Sequence, residues 1–257
     1  MKLGILGATG WLGQALGSRL IAQGLWRAED MILANRSGPR GYAGQALTWA
    51  DPATLCAGAD VIVMATRPED FPTPGFRGGG KLLLSFATVW TLARLRAMEP
   101  GARLARAMPN GASAEGRSYT PWVADGLLPG DAEVVTRLLS AMGEVVRVEG
   151  EDQLDFMAAL SGSGTAYPAL LAQAMLDRAL AFGLPRAVAE RAVEAVICDA
   201  GPGLRGRMGE LGAVLELYRG YRGITAAGID AAAPGIADAM EAALAAAYAK
   251  ARALGQG

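Results

Sequence analysis

The sequence predicts an α/β domain built on a largely parallel sheet, followed by an all-helical domain. Three observations carry that expectation. Short apolar runs alternate with helical patterns over roughly the first 150 residues, a glycine-rich turn follows the first run, and beyond Gly150 only helical patterns remain.

Composition sets the bounds. The 257 residues are 52% hydrophobic, enough to bury a sizeable core. Lys and Arg total 24 against 25 Asp and Glu, so the net charge of -1 offers no basic excess to draw the chain to nucleic acid, and a small-molecule partner is expected. The two cysteines, Cys56 and Cys198, lack metal-ligand spacing, and there is no histidine. A His-based acid, base or zinc site is therefore excluded, and no metal is expected.

The elements follow in order. Leu3–Leu6 is a short apolar run ending at Gly7, and from Trp11 to Gln23 the residues Leu12, Leu16, Leu20 and Ile21 recur at helical spacing. Strand, tight turn and helix fit this better than a signal peptide, because Gly4, Gly7, Gly10 and Gly13 interrupt the apolar stretch. No apolar segment approaches the ~20 residues that cross a bilayer, so a soluble, cytoplasmic protein without membrane contact is expected. Further strands are expected at Met31–Ala34, Val61–Ala65, Lys81–Phe86, Arg103–Met108 and Glu144–Val148, with helical patterns at Val89–Met98 and Ala132–Met142. Alanine-rich helices are expected over Glu151–Phe182, Pro185–Ala200 and Pro234–Leu254, the two prolines opening theirs. The boundary is placed near residues 149–152, giving domains 1–150 and 151–257. Helices with so many small side chains bury little area each, which points to a subunit interface and a homodimer or higher homo-oligomer, a self-contained bundle being the alternative.

Gly7-Ala8-Thr9-Gly10-Trp11-Leu12-Gly13 stands where a dinucleotide-binding, Rossmann-like domain needs its phosphate turn. Gly7 permits the tight turn, Gly10 the approach of a pyrophosphate, and Gly13 close helix–strand contact, while free N–H groups at Thr9, Trp11 and Leu12 face the charge. The spacing G-x-x-G-x-x-G is one residue longer than the usual G-x-G-x-x-G. After the second run comes Asn35-Arg36-Ser37, with no carboxylate for a ribose 2′-hydroxyl. Arg36 suits a 2′-phosphate, with Asn35 and Ser37 as neutral donors, so NADP(H) is the expected cofactor, the alternative for Arg36 being a solvated surface charge. Farther on, Ser161-Gly162-Ser163-Gly164 lies between two apolar helical patterns, where the main chain is expected to bend and aim N–H groups at an anion.

Leu160-Ser161-Gly162-Ser163-Gly164-x-Ala166-Tyr167, followed by Gly183-Leu184-Pro185-Arg186, resembles the C-terminal domain of pyrroline-5-carboxylate reductases. Asn35-Arg36-Ser37, Ala65-Thr66-Arg67-Pro68 and Arg106-Ala107-Met108-Pro109-Asn110 repeat the resemblance in order. It implies an NADPH-dependent oxidoreductase acting on a C=N bond, reducing 1-pyrroline-5-carboxylate to proline, with an all-helical dimerisation domain. It further implies that Ala65, Thr66, Arg67 and Pro68 line the nicotinamide ribose, and that Asn110 lies beside the cofactor, donating to ribose or holding the next loop. Ser161, Gly162, Ser163 and Gly164 are implied as the substrate carboxylate contact. The family's second carboxylate loop, Ser-Pro-Gly-Gly-Thr-Thr, is replaced here by Arg219-Gly220-Tyr221-Arg222-Gly223-Ile224-Thr225, in which only Gly223 and Thr225 match. Thr225 is the expected hydrogen-bond partner of the ring nitrogen, and Arg219 or Arg222 either clamps a larger or doubly acidic substrate or is solvated. A non-catalytic or regulatory NADP-binding homologue, or a reductase of another imine or carboxylate substrate, remains the alternative.

Overall fold

The computed structural model describes residues 1–39, 42 and 46–256. Its strands are β1 (Leu3–Leu6), β2 (Met31–Ala34), β3 (Thr48–Trp49), β4 (Val61–Met64), β5 (Leu82–Ser85), β6 (Arg103–Ala107), β7 (Ser118–Asp125) and β8 (Gly143–Arg147). Among the described residues they form one eight-stranded sheet in the order β3-β2-β1-β4-β5-β6-β7-β8. All pairs are parallel except β6 with β7, where Arg106 stands opposite Val123.

The unbroken apolar runs have a direct cause: β1, β2, β4 and β5 are buried on both faces, so neither set of alternating side chains meets water. On one face Leu3, Ile5, Leu33, Val63 and Leu84 pack with Leu16 and Leu20 of α1 (Trp11–Ala22) and Leu138 of α4 (Asp131–Ser140). The opposite face sets Leu6, Ile32, Ile62 and Leu83 against Leu55 of α2 (Pro52–Gly58) and Leu95 of α3 (Leu92–Met98). Gly4 supplies the room for Leu55, since a Cβ there would sit 2.5 Å from Leu55 Cδ2.

Two strands lie outside the expected runs. β3 is a two-residue edge strand, too short to show a pattern. β7 reads Ser-Tyr-Thr-Pro-Trp-Val-Ala-Asp, and its proline and hydroxyls mask a buried strand whose Pro121 carbonyl accepts from the Met108 amide at 3.0 Å. Pro121 lacks the N–H that an interior strand ordinarily donates, which is why the sequence alone argues against a strand there.

After β8 the described residues form helices joined by short connections, with no further strand. α5 (Glu151–Met157) runs into a π-helical stretch, Ala158–Gly162, then one 3-10 turn, Ser163–Ala166, and α6 (Tyr167–Ala181). α7 (Arg186–Glu194), α8 (Leu211–Gly220) and α9 (Ile224–Gln256) follow. Two expectations are corrected. The Ser161–Gly164 segment is not an open turn but continuous helix, widened and then tightened. Pro234 does not open the last helix; it lies inside α9, which starts ten residues earlier at Ile224, and it has no N–H to give the carbonyl four residues back. α8 falls in a stretch where no helix was expected.

By compactness the chain divides into two units, Met1–Ser163 with Ala247–Gly257, and Gly164–Ala246. In the first, α5 packs Leu154 on Met108 and Val123. In the second, Ala189, Val193 and Val214 are the buried apolar residues, while Leu170, Phe182, Val188, Met208, Leu217 and Ile224 are exposed. Among the described residues no helix is long and apolar enough to cross a membrane.

Candidate functional site

A cleft of about 980 Å³ opens at the carboxyl ends of β1, β2 and β4. This is the point at which strand order reverses, because β1 lies between β2 and β4, and loops leaving the two sides diverge there. Its lining includes Gly7, Thr9, Gly10, Asn35, Arg36, Ser37, Ala65, Thr66 and Arg67. The volume sits at the upper end of the roughly 300–1,000 Å³ range of ligand sites.

The glycines make its floor. Gly7 has φ +79, and a Cβ on it would meet the Ala65 carbonyl oxygen at 2.6 Å. A Cβ on Gly13 would meet Ala8 Cα at 3.0 Å and the Gly7 carbonyl oxygen closer still. Gly10 caps α1 without a side-chain acceptor, and the first intrahelical bond runs from the Gln14 amide to the Gly10 carbonyl at 2.8 Å. The amides of Trp11, Leu12 and Gly13 therefore precede the helix's own hydrogen bonding, and the first turn carries no acidic side chain. That is the arrangement a diphosphate needs. The longer G-x-x-G-x-x-G spacing keeps this geometry, so the residues fit a dinucleotide. The side chains of Trp11 and Leu12 do not line the cleft: Trp11 is 60% exposed and Leu12 packs on the core.

At the far end Arg36 forms an ion pair with Asp70, and both line the cleft. Asn35 Nδ2 donates to Ser37 Oγ at 2.6 Å, leaving the Ser37 hydroxyl proton available to an acceptor. Asp70, in the turn after Arg67-Pro68, carries no sequence signal that it reaches Arg36. Pro68 is not part of the lining, and Arg67 is an exposed side chain beside Glu69 at 4.0 Å.

The Ser161–Gly164 segment is held from two sides. Asn110 is buried, accepts from the Ala112 amide at 3.0 Å, and donates from Nδ2 to the Ser161 carbonyl at 3.0 Å. The second of these bonds fixes the Ser161 carbonyl to the loop that follows β6. Ser161 Oγ in turn donates to the Met157 carbonyl at 3.0 Å. Beneath lies Arg106, fully buried, which donates to Glu151 Oε1 at 2.7 Å, Asp155 Oδ1 at 3.0 Å and the Thr88 carbonyl at 2.6 Å. Glu151 Oε1 also accepts the Leu92 amide at 2.9 Å, so one guanidinium ties β6, the start of α3 and α5 together. Burial pushes the Asp155 carboxyl up, and the Arg106 charge opposes that rise.

A second cleft of about 380 Å³ opens where β5 and β6 end, walled by Phe86, Thr88, Met108, Gly162, Ser163 and Lys250. Phe86 donates its amide to the Met64 carbonyl at 3.1 Å, so the cleft lies beside the strand end that leads to Ala65. Sequence reasoning missed Phe86 and Thr88, although they follow β5 as Ala65-Thr66 follow β4.

Gly223 and Thr225 belong to the second compact unit, at the start of α9, and both are exposed. Gly223 has φ +99 and its carbonyl accepts the Ala227 amide at 3.1 Å. Arg219 is engaged with Glu216 at 2.6 Å and Asp230 at 2.9 Å.

Known proteins share both halves. Residues 151–254 match the family described as pyrroline-5-carboxylate reductase dimerisation, and residues 2–74 the one described as NADP oxidoreductase coenzyme F420-dependent. The pyrroline-5-carboxylate reductase of Synechocystis sp. is 30% identical over 200 residues, 74% of this chain and 74% of its own. That of Mycobacterium tuberculosis (strain H37Rv) is 31% identical over 205 residues, 73% of this chain and 68% of its own. In fold, the chain is similar to 1-pyrroline-5-carboxylate reductase from Streptococcus pyogenes, with TM-score 0.84 and 23% identity over 98% of both chains. Pyrroline carboxylate reductase from Plasmodium falciparum, solved with NADP bound, gives TM-score 0.83 and 22% identity over 99% of this chain and 98% of that one.

Proposed function

The chain belongs to the pyrroline-5-carboxylate reductase family, and from that membership we propose that it reduces the C=N bond of 1-pyrroline-5-carboxylate to give proline, with NADPH as cofactor. The observation that carries this is the glycine cradle of Gly7, Gly10 and Gly13 at the mouth of a cleft that also holds Arg36. NADPH, when bound, supplies the hydride that the ring carbon accepts while a proton ends on the ring nitrogen.

The chain's own residues do the rest. The amides of Trp11, Leu12 and Gly13 face the diphosphate, and Arg36 leaves Asp70 for the 2′-phosphate with Asn35 and Ser37 beside it. Ala65, Thr66, Arg67 and Pro68 follow the strand end at the ribose. Gly162 and Ser163 wall the substrate side, with Ser161 and Gly164 flanking them, and Asn110 acts by fixing the Ser161 carbonyl. With no histidine in the sequence, the proton resides on the iminium or comes from water, and the Thr225 hydroxyl, beside Gly223, hydrogen-bonds the ring nitrogen. Orientation supplies most of the rate.

Residues 1–150 then form the cofactor domain and 151–257 the substrate and dimerisation domain. The chain works in the cytoplasm as a homodimer, a reading supported by the exposed Leu170, Phe182, Val188 and Ile224. The test is the loss of NADPH absorbance on adding pyrroline-5-carboxylate, run beside Thr225→Val. Turnover by the unaltered chain, reduced in the variant, is the expected result; no turnover in either sinks the assignment.

A further inference from the structure

The second cleft contains a group that no motif identified. Of the described residues that wall it, Lys250 is the one with a charged side chain; the others are apolar, small or hydroxylated. Lys250 sits on α9 in the row Ala247, Lys250, Ala251, Leu254, and this i, i+3, i+4, i+7 face is the one that α9 turns to the cleft.

That stretch of α9 is well anchored. Ala251 is buried, Tyr248 Oη donates to Asp152 Oδ1 at 2.7 Å, and the Tyr248 ring meets Phe156 edge-on with centroids 5.8 Å apart. Arg252, on the adjoining face, is committed to Asp152 at 3.6 Å and to the face of Tyr248 at 5.8 Å. Lys250, by contrast, makes no ion pair among the described residues. An ammonium without an anion, walling an otherwise uncharged cleft beside the Ser163 and Thr88 hydroxyls, is suited to receive one.

We propose that Lys250 is a specificity-determining residue that holds the substrate's carboxylate in the second cleft, so that the chain selects cyclic imines bearing an acidic group over the unsubstituted ring. The proposal rests on the reductase reading above. The ammonium answers the carboxylate and plays no part in moving the hydride or the proton. Because Lys250 is exposed in the free protein, solvent discounts the attraction and the expected contribution is at the low end for a charged hydrogen bond, about tenfold in affinity.

The experiment compares Lys250→Met and Lys250→Arg with the unaltered chain. Methionine keeps the length and helix propensity and deletes the charge; arginine keeps the charge. The readout is the ratio of kcat/KM for pyrroline-5-carboxylate to that for 1-pyrroline, with calorimetric titration of L-proline as a measure independent of turnover. In Lys250→Met the ratio should fall about tenfold through KM, and L-proline binding should weaken equally, with Lys250→Arg restoring most of both. An unchanged ratio and unchanged L-proline affinity in Lys250→Met overturn the inference and leave the reductase reading standing. Failure of the unaltered chain to reduce either imine or bind L-proline overturns both.

Discussion

Replacing Arg106 by methionine should cost several kcal/mol of stability, about 3–5, and the cost should depend on pH. The side chain is fully buried and donates to two carboxylates and a carbonyl. Deleting it strands Glu151 and Asp155 facing each other without a cation, and breaking a buried pair from one side costs about 3–5 kcal/mol. The sign of the pH effect follows from Asp155. Its carboxyl is already raised by burial, so the stability associated with its protonated form is present below the ordinary carboxylate range and is lost as pH rises through the folded-state value. Without Arg106, which lowers it, the rise becomes larger. The stability deficit of Arg106→Met, read by urea unfolding, should therefore be largest near neutral pH and shrink as pH falls towards about 4, where carboxylates take up protons. Adding Asp155→Leu and Glu151→Gln should recover most of the loss, because an apolar replacement of a buried ionic cluster is often neutral. A deficit below about 1 kcal/mol, or one that does not change with pH, would refute this reading of the cluster.

Arg36→Asp should reverse the cofactor preference, weakening NADPH about tenfold in a binding titration while NADH tightens; equal losses for both would remove Arg36 from the 2′-phosphate. Asp70→Asn frees the guanidinium from an exposed pair worth about 0.2–1 kcal/mol, so NADPH should bind up to about fivefold tighter with NADH unchanged. Gly13→Ala gains about 1 kcal/mol in helix propensity but forces a methyl against the Gly7 carbonyl and Ala8 Cα, for about 1–3 kcal/mol. Cofactor affinity should collapse even where the thermal midpoint moves little, and normal affinity would show that the turn tolerates the shift.

The strands that position the nucleotide cleft were legible because burial on both faces leaves no choice but an apolar run, as in Val61–Met64. β7 was not, because Ser118, Thr120 and Pro121 are buried only by virtue of their neighbours β6 and β8. The same division holds at the site. Arg36 lines the cleft, as its distance from the glycine turn leads one to expect, but its partner Asp70 lies 34 residues on. The Ser-Gly-Ser-Gly segment reads as a turn by propensity, and it is helical because bonds to Asn110 and Met157 hold it so. Lys250, in an alanine-rich helix, belongs to no motif, and only the fold sets it on a cleft.

The order in which the chain is made gives the two clefts different histories. Every residue lining the first cleft precedes Phe76, so a nascent chain possesses that cleft's components once Pro74 has been added. The wall formed by Lys250, Ala251 and Leu254 comes much later, after the chain has left the first unit at Ser163 and rejoined it at Ala247. Nucleotide can thus act as a folding ligand, stabilising the early domain by mass action, whereas the second cleft stays incomplete until the end of α9 has been added.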